Sequence, residues 1–75
     1  MSSRILIEAW GRIDEGEHAG WYLYIRDDNA NTGGFLIIRS PDKSFKSGYT
    51  DWVENRQNLD RFFHSAGWNV DWLET

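Results

Sequence analysis

Aromatic side chains have to supply much of the core of this chain, because the chain is short and has no cysteine. Its 75 residues include five tryptophans, three tyrosines and four phenylalanines. A domain of this size buries only about 60% of the surface that its unfolded chain exposes, so many small domains depend on disulfides, metals or oligomerisation. Disulfides and thiolate metal sites are excluded here, whereas each aromatic side chain buries roughly 150–250 Å². We therefore expect a single domain, residues 1–75, with a core rich in aromatic rings.

Alternating apolar residues predict three consecutive β-strands in the first half of the chain. They cover residues 4–13, 21–26 and 35–40, and they are rich in the aromatic and β-branched residues that favour strands. The polar segments 14–20 and 27–34 between them contain the Gly, Asp and Asn residues that are typical of turns. The simplest arrangement of three such strands is an antiparallel meander.

One amphipathic helix is predicted over residues 51–66. Asp51 and Glu54 have the spacing of a capping box, and an apolar stripe follows with the helical period. The stripe consists of Trp52, Leu59, Phe62, Phe63 and Ala66. Gly67 is typical of a helix C-terminus, and the alternating segment 68–74 predicts a short last strand. We therefore expect an α+β fold of the order βββαβ, in which one helix packs on one face of a three- to four-stranded antiparallel sheet.

One helix covers only one face of a sheet, so the opposite face is predicted to bind a partner. If Leu23 and Ile25 pack on the helix, the opposite face carries Leu6, Glu8, Trp10, Tyr22, Tyr24 and Arg26. Trp, Tyr and Arg are enriched at binding hot spots, and acidic loops at the border speed association with a basic partner. The predicted partner-binding residues are Glu8, Trp10, Asp14, Glu15, Glu17, Tyr22, Tyr24, Arg26, Asp27 and Asp28. The alternative is that this face is covered by the chain itself, through the loop around Phe45 and the segment 68–73, or by a second copy.

The acidic balance of the chain argues against nucleic acid as a partner. Eight basic and twelve acidic residues give a formal net charge of −4, whereas phosphate binding requires a basic patch. Aromatic residues on a small sheet can stack bases, but carboxylates border the expected platform of Trp10, Tyr22 and Tyr24. The same charge favours a basic protein partner, such as a toxin or an enzyme.

The residue types of catalytic and metal sites occur here without the patterns that such sites require. No serine lies in a G-x-S-x-G elbow, the glycines form no phosphate-binding motif, and His18 and His64 lack metal-ligand spacing. The acidic turn that begins at Asp27 resembles the start of a calcium loop, but Thr32 replaces the required glycine and Ile38 the bidentate glutamate. We expect a hairpin turn there, a solvated loop histidine at His18, a helix-end position for His64, no enzymatic activity, no cofactor and no metal.

The sequence contains neither a signal-peptide pattern nor the roughly 20 consecutive apolar residues of a membrane span. The absence of cysteine also fits a reducing compartment. We therefore expect a cytoplasmic protein that makes no contact with a membrane.

Four short segments resemble the small, Trp-rich immunity proteins of bacterial polymorphic-toxin systems. They are the acidic loop 14–21, the turn 28–34 that ends in two glycines, the Y-T-D-W sequence at 49–52 and the W-N-V-D-W sequence at 68–72. Proteins of those families are short, acidic, cytoplasmic and poor in cysteine. The resemblance implies that this chain binds a toxin and blocks it, and it carries over no individual binding residue.

The chain also resembles the MbtH-like proteins, which are small, Trp-rich sheets of three strands with a helix. That resemblance implies binding and activation of an adenylation enzyme, but the S-x-W-P segment of those proteins is missing and the only proline is Pro41. Phage inhibitors that mimic DNA with carboxylates are a further alternative, although eight basic residues offset the acidic ones here. We expect an immunity-type inhibitor that binds through its aromatic sheet face. The alternatives are a module that homodimerises or modulates an enzyme, and a phage-type inhibitor.

Overall fold

The structure, a computed structural model, describes residues 5–42, 44 and 47–73 of the chain. Within them, five strands and one helix follow one another in the order ββββαβ. The elements are β1 (Trp10–Glu15), β2 (Tyr22–Asp28), β3 (Gly34–Ser40), β4 (Tyr49–Val53), α1 (Arg56–Ala66) and β5 (Asn69–Trp72). The predicted α+β class is confirmed, with five strands in place of the expected three or four.

The five strands form one antiparallel sheet in the spatial order β4-β3-β2-β1-β5. The first four strands are a meander, in which each strand pairs with its neighbours in sequence. The chain then passes from one edge strand, β4, through α1 to the opposite edge strand, β5. On this path α1 packs against one face of the sheet, which we call the inner face; the other is the outer face.

The core lies between the inner face and α1. Apolar side chains from the three central strands are fully buried there, and Leu59 and Phe63 of α1 pack against them. The buried core residues are Ile13, Leu23, Ile25, Ile37, Val53, Leu59, Phe63, Trp68 and Val70. Full burial of one such aliphatic side chain stabilises a fold by roughly 1.5–3 kcal/mol. The expected inward orientation of Leu23 and Ile25 is confirmed.

The prediction that a helix begins at Asp51 is wrong, because residues Tyr49–Val53 form strand β4. Thr50, Trp52 and Val53 are β-branched or aromatic and favour an extended backbone, and Trp52 pairs with Leu36 of β3. Trp52 therefore does not belong to the helical stripe, whose other four members do lie on α1 and are at least partly buried.

The helix begins at Arg56, and Asn55 is its N-cap. The Asn55 side chain accepts a hydrogen bond from the Asn58 main-chain N–H at 2.9 Å, the contact that satisfies one of the free donors of a first helical turn. Gly67 ends the helix with φ 68°, as predicted.

The first strand begins at Trp10, six residues later than predicted. Glu8 has φ 60°, a left-handed conformation that interrupts an extended strand. Ile5 and Ile7 lie before the strand and still pack against the core. Arg4, Glu74 and Phe45, the expected anchor of the loop before β4, lie outside the described residues.

The segment between β2 and β3 is a hairpin turn, as predicted. The Asp28 carbonyl accepts the main-chain N–H groups of Asn31 at 3.0 Å and of Thr32 at 2.9 Å. Gly33 has φ 83°, which glycine adopts without steric cost, and Gly34 closes the hairpin opposite Asp28. The turn thereby fixes the register of β2 and β3.

Candidate protein-binding face

The residues of the outer face follow from the strand register. Side chains alternate between the two faces along a strand, and residues directly opposite each other share a face. Leu23, Ile25 and Ile37 point into the core, so their neighbours along β2 and β3 point outward. The outer face carries Trp10 and Arg12 of β1, Tyr22, Tyr24 and Arg26 of β2, Leu36 and Ile38 of β3, Thr50 and Trp52 of β4, and Asp71 of β5.

Three aromatic side chains pack against one another on this face, and we call them the aromatic cluster. The centroid of the Trp10 ring lies 5.7 Å from that of Tyr24 and 6.5 Å from that of Tyr22, which it meets edge-on at 81°. Trp10 and Tyr24 are directly opposite in the register of β1 and β2. All three side chains are half-buried, so each ring is packed on some sides and accessible on another.

Apolar residues continue from the aromatic cluster to the β4 edge of the sheet. Ile38 lies opposite Tyr24, and Trp52 lies opposite Leu36. Leu36 and Ile38 are half-buried, whereas Trp52 is 48% exposed. The Trp52 indole N–H donates to the Thr32 hydroxyl at 2.9 Å, which fixes the ring beside the β2–β3 turn.

Glu8 connects the aromatic cluster to the end of β2. Its Oε1 accepts the Tyr24 hydroxyl at 2.8 Å and its Oε2 accepts the Asp27 main-chain N–H at 2.7 Å. The Tyr24 hydrogen bond, followed by the Asp27 N–H, lowers the pKa of the Glu8 carboxyl below 4.5. The same Tyr24–Glu8 hydrogen bond raises the pKa of the Tyr24 phenol above 10.0. Both groups therefore hold the ionisation states that keep this contact at neutral pH.

One predicted acidic segment, residues 14–17, lies at the end of β1 and in the loop that follows it, next to the start of β2. Asp14 contacts Arg12, with 3.4 Å between Oδ1 and Nη2, and Glu15 accepts the Asn69 side-chain amide at 3.3 Å. Glu17 is exposed. These three carboxylates give one border of the sheet a negative charge.

The second predicted acidic segment lies at the opposite end of β2 and is part of the turn. The Asp27 side chain accepts the Asn29 amide at 2.6 Å and the Asn29 main-chain N–H at 3.1 Å, and these bonds lower the pKa of Asp27. Asp28 is buried, and its carboxylate accepts the Thr32 hydroxyl at 2.9 Å. Asp28 therefore stabilises the turn from inside, whereas Asp27 remains exposed.

The structure brings half of the predicted partner-binding residues together and distributes the others at the borders. Four of them lie on the outer face, and Glu8 is hydrogen-bonded to that face: Glu8, Trp10, Tyr22, Tyr24 and Arg26. The remaining five lie at the two ends of β2: Asp14, Glu15, Glu17, Asp27 and Asp28. Leu6 is half-buried and precedes β1.

A buried arginine on the inner face is the feature that sequence reasoning missed. The Arg39 side chain is 7% exposed, and its Nη2 lies 2.6 Å from Oδ2 of Asp51. Its guanidinium carbon lies 5.4–6.0 Å from the centroids of the Phe62, Trp68 and Tyr49 rings, within the range of cation–π attraction. Within the described residues, Nε and Nη1 of Arg39 have no hydrogen-bond partner. The inward position of Arg39 follows from its alternation with Ile37, but the rings around it come from three separate segments.

Next to this arginine, three rings form a stack that also was not predicted. His18 lies 4.3 Å from Trp21 and 5.3 Å from Tyr49, centroid to centroid, and Trp21 and Tyr49 are nearly parallel at 5.9 Å. His18 is half-buried, so the expectation of a solvated loop histidine is wrong, whereas His64 lies in the last turn of α1, as expected. The stack joins the β1–β2 loop to the edge strand β4.

The described residues contain no cluster of three or more His, Cys, Asp or Glu side chains that could hold a metal ion. No helix in the described part of the chain has the length and apolar character of a membrane span. Comparison with known proteins found no matching family model, no significantly similar curated protein and no significantly similar solved structure.

Proposed function

We propose that this protein is a small protein-binding module of the immunity type, which binds a toxin or an enzyme through its outer face and thereby blocks it. The observation that supports this most is the half-buried aromatic cluster on the face directed away from α1. Apolar patches with a polar border on a small domain typically mark an interaction site. An inhibitor of this kind needs no catalytic group, because it acts by occupying its target.

The chemistry of the outer face supports a hot-spot role for its centre. Trp10, Tyr22 and Tyr24 are of the residue types most enriched at hot spots, and the exposed Arg26 lies beside them on β2. Mutual packing and the hydrogen bond from Tyr24 to Glu8 hold the rings in place before a partner arrives. Side chains that are already ordered lose less conformational entropy on binding.

The charge of the chain supports a basic target. The formal net charge is −4, and exposed carboxylates lie at both ends of β2, at either side of the aromatic cluster. Such a rim attracts a positively charged protein over a distance and increases its association rate, most strongly at low salt. A cytoplasmic location is part of the same proposal, because an immunity protein acts where its toxin would act.

The test compares two arginine-to-alanine variants in capturing a partner from the native host. Arg26 is exposed on the outer face and Arg61 is exposed on α1, so the two changes remove the same side chain from opposite sides of the molecule. We expect the wild type and Arg61→Ala to retain one tightly bound protein. Arg26→Ala and Trp10→Ala should bind it more weakly by more than ~1 kcal/mol, or about fivefold, and both variants should remain folded at the temperature of the binding assay.

A second step tests inhibition directly. The captured protein is expressed alone and together with this chain, and we expect loss of growth or activity in the first case and recovery in the second. Equal retention of the captured protein by Arg26→Ala, Trp10→Ala and Arg61→Ala would contradict binding through the outer face. Capture of this chain alone would favour the module that homodimerises.

A further inference from the structure

The edge strand β4 carries both of the large hydrophobic side chains that are exposed among the described residues. Tyr49 is 56% exposed and Trp52 is 48% exposed. Neighbouring positions alternate between the faces of a strand, so Trp52 stands on the outer face and Tyr49 on the inner face. Four of the five β4 residues are exposed. The strand therefore offers apolar surface on both sides of its free edge.

The register determines which main-chain groups of β4 point away from the sheet, because hydrogen-bonded and non-hydrogen-bonded pairs alternate along an antiparallel ladder. The Ile13 N–H donates to the Trp21 carbonyl at 2.9 Å and the Ile13 carbonyl accepts the Gly20 N–H at 2.6 Å, so the main-chain groups of Ile13 point toward β2. The same alternation can be followed through the registers of β1 with β2, β2 with β3 and β3 with β4. It makes Tyr49, Asp51 and Val53 the β4 residues whose main-chain groups point toward β3. The N–H and C=O groups of Thr50 and Trp52 point outward.

Apart from the charge of Asp51, this edge lacks the features with which sheets usually prevent further strand pairing. Lysine, proline and bulges are the common protections of an edge strand. Strand β4 has the sequence Y-T-D-W-V and pairs with β3 over five consecutive residues without a register shift. By contrast, the opposite edge strand, β5, has four residues, and a shift between Ile13 and Glu15 interrupts its pairing with β1. Of the two edges, β4 is the one that can accept another strand.

Asp51, at the centre of β4, determines which strand fits. Its Oδ2 contacts Arg39, its Oδ1 has no hydrogen-bond partner among the described residues, and its side chain is 49% exposed. In the antiparallel register that pairs all five β4 residues with a second copy, Asp51 would lie directly opposite Asp51 of that copy. Like charges at directly opposed positions are destabilising, and the net charge of −4 adds long-range repulsion between copies. A cation at that position would instead complement the carboxylate.

We propose that β4 is a docking edge to which an extended segment of a partner protein adds as an antiparallel sixth strand, with a lysine or arginine opposite Asp51. The main-chain groups of Thr50 and Trp52 supply the hydrogen bonds, and the exposed rings of Tyr49 and Trp52 flank the added strand on its two faces. Strand addition of this kind takes its affinity from main-chain bonds and its specificity from side-chain contacts. The proposal does not depend on binding through the outer face.

The test uses synthetic five-residue peptides, acetylated and amidated, and monitors the amide signals of the full chain by NMR. One peptide alternates threonine and valine around a central lysine, and its matched control has glutamate at the centre. We expect the lysine peptide to shift the Thr50 and Trp52 amides, to slow their exchange with solvent, and to bind at least fivefold more tightly than the glutamate peptide. N-methylation of the peptide residue opposite Thr50 should abolish binding, and this control requires no change in the protein.

Two variants at one position separate the main-chain contact from the side chain. Thr50→Pro removes an outward N–H without breaking a bond to β3, a substitution that edge strands tolerate, and should lose the lysine peptide. Thr50→Val keeps the N–H and should bind as the wild type does. Arg26→Ala should leave peptide binding unchanged, so failure of this proposal can be told apart from failure of the outer-face proposal.

Three outcomes would overturn the proposal. The first is the absence of shifts at β4 at millimolar peptide, and the second is equal binding of the lysine and glutamate peptides. The third is protection of the Thr50 and Trp52 amides by self-association without peptide, rising with protein concentration and abolished by Thr50→Pro. That result would assign the edge to a second copy of the chain.

Discussion

Glu8 adopts a left-handed backbone conformation that few glutamates tolerate, and two hydrogen bonds stabilise it there. Its φ of 60° places it in a region that side chains with a Cβ rarely occupy. The carboxylate bridges the Tyr24 hydroxyl and the Asp27 main-chain N–H, which belong to the aromatic cluster and to the end of β2. The strained residue thus positions the chain before β1 against the face that we propose binds a partner.

The stability of the fold should depend on pH through Glu8. Because the pKa of Glu8 in the folded state is lowered below 4.5, the stability that its ionised form contributes is present above pH 4.5 and is lost as the pH falls through the folded pKa. Glu8→Gln should therefore lower the unfolding midpoint near pH 7 and have a diminishing effect toward pH 3. Thermal unfolding of both proteins across this range measures the difference.

Glu54→Gln is the matched control for that prediction. Glu54 is an exposed glutamate between β4 and α1, so the change removes the same charge without removing the two hydrogen bonds of Glu8. A difference between the wild type and Glu8→Gln that stays constant from pH 7 to pH 3 would contradict the role given to the ionised carboxylate.

The ion pair between Arg39 and Asp51 joins a buried guanidinium to a half-exposed carboxylate. Removing one partner leaves a charge uncompensated, at a cost of roughly 3–5 kcal/mol for a fully buried pair. Asp51 is half-exposed, so water replaces part of the lost contact, and we expect Asp51→Asn to destabilise by about 1–2 kcal/mol. Arg39→Met should be close to neutral, because it removes two buried donors that lack partners.

Urea unfolding of the two single variants and of the double variant checks this prediction. In the double variant, the Asp51→Asn change should have little further effect on the free energy of unfolding, because its partner is already gone. A loss of stability in Arg39→Met as large as that in Asp51→Asn would instead show that the guanidinium is needed for its packing among the rings.

At the scale of the element, α1 begins with a different N-cap from the one that was predicted. Asp51 and Glu54 have capping-box spacing, yet the strand pairing of residues 49–53 determines the outcome, and Asn55 becomes the N-cap. We predict that Asn55→Ala destabilises the protein by about 1 kcal/mol, because it removes the acceptor of the Asn58 N–H. Glu54→Ala at the neighbouring exposed position should change the free energy of unfolding much less. Equal effects of the two changes in urea unfolding would contradict the assignment of the cap.

The elements that can be predicted correctly from the sequence are those in which the periodic pattern of apolar residues is long and uninterrupted. Strand β2 and its hairpin turn to β3 follow from alternation and from turn residues, and the outer position of Trp10, Tyr22 and Tyr24 follows with them. Strand β4 could not be assigned in this way, because its five residues also fit the start of a helix. Pairing with β3 decides between the two, and this depends on residues distant in sequence. The aromatic rings around Arg39 could not be predicted for the same reason.

At the scale of the whole molecule, the first and last strands lie side by side and close the fold. Among the described strands, β5 pairs with β1 alone. The Trp68 indole N–H donates to the Glu17 carbonyl at 2.7 Å, which connects the end of α1 to the β1–β2 loop. The Glu17 N–H in turn donates to the Ala66 carbonyl at 3.0 Å. These contacts join residues about 50 positions apart. A substitution that weakens them should therefore lower the stability of the whole domain.

Gly11 is a point of close contact between β1 and β5. A Cβ at Gly11 would lie 2.6 Å from Val70 Cγ1 and 2.9 Å from the Trp72 ring, closer than carbon atoms approach without displacement. Overpacking of this kind costs typically about 1–3 kcal/mol, so Gly11→Ala should lower the free energy of unfolding by an amount in that range. Val70→Ala opens a cavity at the same place and should destabilise on its own.

The double variant Gly11→Ala with Val70→Ala tests whether steric conflict with Val70 is the cause. The methyl group added at Gly11 then occupies the space left by the valine, so the double variant should be more stable than the sum of the two single effects predicts. Urea unfolding of the wild type and the three variants gives the coupling energy. Strict additivity would mean that the contact with Val70 does not cause the cost of the methyl group, which would then arise at the Trp72 ring or within β1 itself.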